Sequence, residues 1–67
     1  MENRIKLLRG KNEMTQEQLS QLVGVSRQSI IAIESGKYNP SLELAFKIAN
    51  VFNCTIEEVF IFKSSEG

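Results

Sequence analysis

The sequence predicts an all-α domain of five short helices, and three observations carry that prediction. Ser and Thr residues suited to capping a helix recur ahead of amphipathic runs, at Thr15, Ser26, Ser41 and Thr55. Inside those runs the apolar residues repeat at three- and four-residue intervals, the period of a helix with one buried face. Gly24 and Gly36 fall just past two of the runs, where helices stop. Sixty-seven residues, read as one domain over 1–67, leave no room for a second, and a composition 42% apolar and 24% charged belongs to a folded chain.

Each element has its own signals. In Arg4–Arg9, Ile5 and Leu8 lie three apart with Leu7 beside them, basic groups fill the other face, and Gly10 with Asn12 weakens the helix soon after. Thr15 caps the second helix and Gln18 completes a capping box, with Leu19, Leu22 and Val23 as the apolar stripe. Gly24 ends it in a left-handed conformation that a Cβ would penalise. Ser26 caps a third helix from about Arg27 to Ser35, with Ile30 and Ile33 inward. Lys37-Tyr38-Asn39-Pro40 is a loop, because Pro40 biases Asn39 away from helical geometry. Ser41 opens a fourth helix carrying Leu44, Ile48, Val51 and Phe52, and Thr55 with Glu58 caps a short fifth containing Ile56 and Val59. Phe60-Ile61-Phe62 is β-prone, and residues 63–67 read as a frayed tail.

Composition removes whole classes of chemistry. The acidic residues are all Glu, and His, Asp and Trp are absent. Without His there is neither a Ser-His-Asp nor a Cys-His nucleophile system, nor an imidazole metal ligand. The single cysteine, Cys54, closes no intrachain disulfide and makes no thiolate zinc site; a small packed thiol is expected there. No acid–base pair, phosphate loop or metal set stands at motif spacing, so no enzyme, cofactor, metal or small-molecule ligand is expected. The longest apolar runs, Ile30–Ile33 and Val59–Phe62, fall far short of the roughly 20 residues that cross a bilayer. Nor does the start carry an apolar signal segment, so a soluble cytoplasmic chain with no membrane partner is expected.

The stretch that carries function is 15–36. Its two helices are joined by a turn, Val23-Gly24-Val25-Ser26, too short to let them lie antiparallel, and Val25 can plug the angle between them. That corner is helix-turn-helix geometry, with the second helix free to project. An α-helix fits the major groove of B-DNA, and its N-terminal residues reach base edges first. Here they are Ser26, Arg27, Gln28 and Ser29. Arg27 can donate two parallel hydrogen bonds to guanine O6 and N7, and Gln28 forms a matched pair with adenine N6 and N7. The hydroxyls of Ser26 and Ser29 suit a phosphate or a base edge. Ile31 and Ala32 come next, and an aliphatic contact there would recognise a thymine methyl. Equally, Ile31 could simply widen the apolar stripe.

Thr15-Gln16-Glu17-Gln18-Leu19, Gly24-Val25-Ser26, Ile30 and Ile33-Glu34-Ser35-Gly36-Lys37, with Pro40 and the Leu44–Ala49 helix, closely resemble the Cro/phage-repressor (XRE-like) helix-turn-helix family over residues 4–60. Size and the apolar C-terminal end are similar to its small stand-alone repressors of the cytolysin-operon type. The resemblance implies a five-helix lambda-repressor-like DNA-binding domain with a short strand near Phe60–Lys63 that pairs with the extreme N-terminus. It implies that Gln16 holds a phosphate, a task suited to a helix N-terminus. It places Arg27, Gln28 and Ala32 at base-reading positions and Lys37, Tyr38 and Asn39 in a backbone-contacting loop. It also implies an Arg9–Glu34 pair bridging the first and third helices. Ala32 and Ile31 depart from relatives that often carry polar groups there, so the operator is this chain's own.

Zero net charge conceals a segregation. Residues 1–40 hold six basic and four acidic groups, while 41–67 hold two basic and four acidic. A mildly positive half can face DNA, but a monomer would bind weakly. Below roughly 70–80 residues, moreover, a single core supplies only about 3–5 kcal/mol. Ile56, Val59, Phe60, Ile61 and Phe62 are many apolar groups for a short terminal segment to hide, so a two-fold dimer through 54–63 is expected. Its recognition helices would sit roughly 34–36 Å apart, in successive major grooves. The expectation is a homodimeric repressor of a pseudo-palindromic double-stranded operator. The alternative is an antitoxin-like protein-interaction module with secondary DNA binding.

Overall fold

The computed structural model describes residues 1–62. Its elements follow in the order β1 (Glu2–Asn3), α1 (Ile5–Lys11), α2 (Gln16–Val23), α3 (Arg27–Glu34), α4 (Leu42–Val51), α5 (Ile56–Val59) and β2 (Phe60–Ile61). The four Ser and Thr caps form as the sequence predicts. Thr15, Ser26, Ser41 and Thr55 each accept a hydrogen bond from the backbone N–H three residues on, and Thr15–Gln18 and Thr55–Glu58 close reciprocal capping boxes. These short helices lack the length for intrinsic stability in water, so the caps and a shared core hold them.

That core is one cluster built from Ile5, Leu19, Val23, Ile30, Ile33, Ala45, Ile48, Ala49, Phe52, Val59 and Phe60. Val25 packs against it from the corner between α2 and α3, as the turn geometry predicts. Cys54 is a free, partly buried thiol packed against the same cluster.

The helix endings decide how α3 is presented. Gly24 (φ 77°) and Gly36 (φ 82°) occupy the left-handed region. After α3, the Lys37 N–H donates to the Ala32 carbonyl and the Gly36 N–H to the Ile33 carbonyl, so the chain folds back over the helix end and turns sharply into the 37–40 loop. A second fastening holds the same end. The Asn3 side-chain amide donates to the Ile33 carbonyl at 2.9 Å, while its carbonyl oxygen accepts from the Ile5 N–H at 3.2 Å. One side chain therefore joins the start of α1 to the end of α3.

The first helix runs to Lys11 with Asn12 as its C-cap, ending in the stretch that Gly10 and Asn12 weaken, and Glu13 then adopts the left-handed conformation (φ 52°). The Met14 N–H then satisfies the Arg9 carbonyl, and the Arg9 guanidinium donates to the Met14 carbonyl at 3.0 Å. Leu22 is 62% exposed rather than part of the apolar stripe, because Leu19 and Val23 already fill the face turned to α3 and α4.

A second change concerns the chain end. β2 pairs antiparallel with β1 in the register Glu2↔Ile61 and Asn3↔Phe60, which accords with a strand there pairing with the N-terminus. Lys63, the last residue of that expected strand, lies outside the described residues, as does the tail read as frayed. This pairing turns Phe60 inward. Val59 and Phe60 are buried in the chain's own core, so they present no face to a partner, whereas Phe62 is 79% exposed and Ile56 and Ile61 are half-buried. Two exposed apolar residues that the helical stripe does not contain, Leu42 (69%) and Phe46 (52%), stand one turn apart on α4. Leu42, Ala45, Ile56 and Phe60 line an apolar hollow of about 290 Å³ together with Pro40.

Candidate nucleic-acid interface

The candidate site is the first turn of α3 and what surrounds it. Ser26 adopts extended backbone, so α3 starts abruptly, and Ile30 and Ile33 anchor its inner face. One and two residues from Ile30, the helical period turns Ile31 and Gln28 away from that inner face, and Arg27 stands at the first position of the helix; all three are exposed. No hydrogen bond or ion pair engages the Arg27 guanidinium or the Gln28 carboxamide among the described residues, which leaves both functional groups available to a ligand. Ser29 and Ala32 flank this strip and are half-buried.

The two serines are less free. The Ser26 hydroxyl accepts from the Ser29 N–H at 3.2 Å and lies 3.1 Å from the Ser29 hydroxyl. Capping and ligand contact therefore draw on one oxygen at Ser26. Ser29 keeps its second lone pair, because a hydroxyl has one donor and two acceptor positions.

Beside this strip, Arg27 and Gln16 meet across a cleft of about 650 Å³ that Arg9, Met14, Thr15 and Glu17 also line. The cleft lies over the N-terminus of α2, where the first backbone N–H groups have no intrahelical partner and the helix dipole favours an anion. Gln16 is half-buried there, and its side-chain amide donates to Glu34 Oε1 at 3.0 Å. Glu34 also accepts from Arg9, through Nε to Oε2 and through Nη2 to Oε1 at 3.1 Å. The pair joins α1 to α3 with the two side chains 14% and 9% exposed.

At the far end of α3, Lys37, Tyr38 and Asn39 are all exposed in the loop that Gly36 turns outward. The Asn39 side-chain carbonyl accepts from the Met1 amino group at 3.3 Å. Arg27, Gln28 and Ile31 are thus exposed on α3 itself, Gln16 lines the cleft beside Arg27 while its amide reaches Glu34, and the 37–39 loop follows the helix end. Sequence reasoning missed the Gln16–Glu34 contact. The i, i+3 spacing of helices finds neighbours on one helix, and this contact crosses between two helices 18 residues apart.

A helix-turn-helix family model matches residues 5–59. An uncharacterized HTH-type transcriptional regulator from Archaeoglobus fulgidus is 58% identical over 66 residues, covering 98% of this chain and 93% of its own length. One from Methanocaldococcus jannaschii is 54% identical over 98% of this chain and all of its own. Among solved structures, the restriction-modification controller protein C.AhdI from Aeromonas hydrophila superposes with a TM-score of 0.78 at 32% identity, covering 85% of this chain and 86% of that one.

Proposed function

From the premise that the chain belongs to the helix-turn-helix family whose model spans its residues 5–59, we propose that it is a homodimeric repressor that reads a pseudo-palindromic DNA operator through the major groove. Its relatives are transcriptional regulators rather than enzymes. The observation that carries the reading is the first turn of α3, where an exposed guanidinium and an exposed carboxamide on consecutive residues have no hydrogen-bond or ion-pair partner among the described residues. Those two groups are matched to guanine and adenine edges in the major groove. Gln16, Lys37, Tyr38 and Asn39 supply the flanking backbone contacts, which set register without reading sequence. Ile31 offers an aliphatic surface for a thymine methyl.

Dimerisation follows from charge and size. A chain with no net charge gains little from phosphate neutralisation one copy at a time, and two copies double the contacts. Exposed Leu42, Phe46 and Phe62, with half-buried Ile56 and Ile61, form the apolar surface for a second copy. Repression by exclusion of polymerase requires nothing beyond occupancy of the operator.

Sequencing genomic fragments retained by the purified chain at near-physiological salt tests this. Inverted repeats of constant spacing, together with a dimer in sedimentation equilibrium, are expected. Random fragments retained by a chain that stays monomeric until another protein joins it would favour the interaction-module reading.

A further inference from the structure

We infer that Glu34 is a positioning residue for DNA binding: its carboxylate holds the Gln16 side-chain amide in the orientation that receives a backbone phosphate. The inference rests on the proposed DNA-binding reading, and assigns within it a role to a residue that itself makes no contact with DNA.

Three observations carry it. Glu34 Oε1 accepts two hydrogen bonds, from Arg9 Nη2 at 3.1 Å and from Gln16 Nε2 at 3.0 Å. Glu34 is the last residue of α3 and Gln16 the first of α2, so the contact spans the two helices of the motif. And Arg9 is already committed: its Nε and Nη2 donate to Glu34 and its Nη1 to the Met14 carbonyl.

The chemistry follows from the inventory of a primary amide. Gln16 Nε2 has two hydrogens. One is fixed on Glu34, which fixes the amide plane and with it the direction of the second, beside the cleft that Gln16 and Arg27 share. An unheld glutamine would lose its rotamer freedom only on binding, and that cost would be subtracted from affinity. A bare carboxylate this close to a phosphate site would repel the ligand. Arg9 neutralises it, so the Arg9–Glu34 pair can orient a neutral amide without adding a net negative charge. The pair thus has a binding role beyond joining α1 to α3.

A double-mutant cycle on the full chain tests this, with a duplex recovered in the selection above as the probe. The background variant is Arg9→Met with Glu34→Leu, which replaces the ion pair by apolar groups and leaves no orphaned charge. In the native background Gln16→Ala is expected to weaken binding about tenfold per copy, the size of a hydrogen bond to a charged group. In the Met/Leu background the same change is expected to cost less than twofold, and that background is itself already weakened about tenfold. Equal losses in both backgrounds would overturn the inference. So would a Gln16→Ala variant that binds normally while Arg27→Ala does not, an outcome that leaves the DNA-binding reading intact. Absence of binding by the native chain would remove that reading and the inference with it.

Should the Met/Leu background fail to fold, side-chain ¹⁵N relaxation of the native chain decides. The Gln16 amide is expected to be as ordered as rigid backbone and the exposed Gln28 amide to fall in the flexible range. Equal mobility of the two would overturn the proposal.

Discussion

Replacing Arg27 with alanine is expected to cost about 1–3 kcal/mol per half-site, roughly a 5- to 150-fold loss, and to abolish preference at a single base pair of each half. The specificity loss matters more than the weakening. A guanidinium that makes two parallel bonds to guanine discriminates among base pairs, whereas one that rests on a phosphate does not. The exposed Arg27, without a hydrogen-bond or ion-pair partner among the described residues, can do either. Titration against a panel of duplexes varied one position at a time separates them. A uniform loss across the panel would assign Arg27 to the backbone. Because Arg27 is exposed and makes no hydrogen bond or ion pair among the described residues, its variant is expected to melt with the native chain.

The second large effect concerns stability. Among the described residues, Arg9→Ala leaves the Glu34 carboxylate, 9% exposed, with only the Gln16 amide as side-chain partner, and strips the Met14 carbonyl of its side-chain donor. Breaking a buried pair from one side costs about 3–5 kcal/mol, against a total stability of the same order for a chain this small. Thermal melting followed by circular dichroism is expected to show a drop of at least about 12 °C, at about 4–8 °C per kcal/mol. Replacing both partners, Arg9→Met with Glu34→Leu, is expected to restore most of it, since no charge is then left unpaired. A single variant that melts within a degree or two of the native chain would show that the pair is solvated in solution. The exposed Glu43–Lys47 pair on α4 offers the contrast, with side chains 82% and 54% exposed and little expected from its removal.

Much of the architecture was legible because its signals are local. A capping hydroxyl, its partner three residues on and a terminal glycine together define a helix without reference to the rest of the chain, and α2 through α5 begin where those signals stand. The apolar C-terminal run misled, because its signal is not local. Hydrophobicity says that a residue seeks burial but not against what, and pairing of β2 with β1 gives Val59 and Phe60 an internal place.

At the candidate site, the exposure of Arg27 and Gln28 follows from helical period once Ile30 and Ile33 are inside. The hold of Glu34 on Gln16 does not, since it depends on the angle at which two helices cross. Leu42 and Phe46 were visible in principle, as an i, i+4 pair outside the Leu44–Ile48 stripe, but only the packed helix shows how much of each is left uncovered.

The central claim is that the first turn of α3 reads bases in the major groove of a duplex held by two copies of the chain. Methylation interference on a recovered site tests it most directly, because a methyl group on guanine N7 blocks major-groove bonding without touching the phosphates. One interfering guanine is expected in each half-site, the two lying one helical turn apart (about 10–10.5 base pairs), with Arg27→Ala indifferent to both. Binding by the native chain that ignores N7 methylation throughout its protected sequence would contradict it.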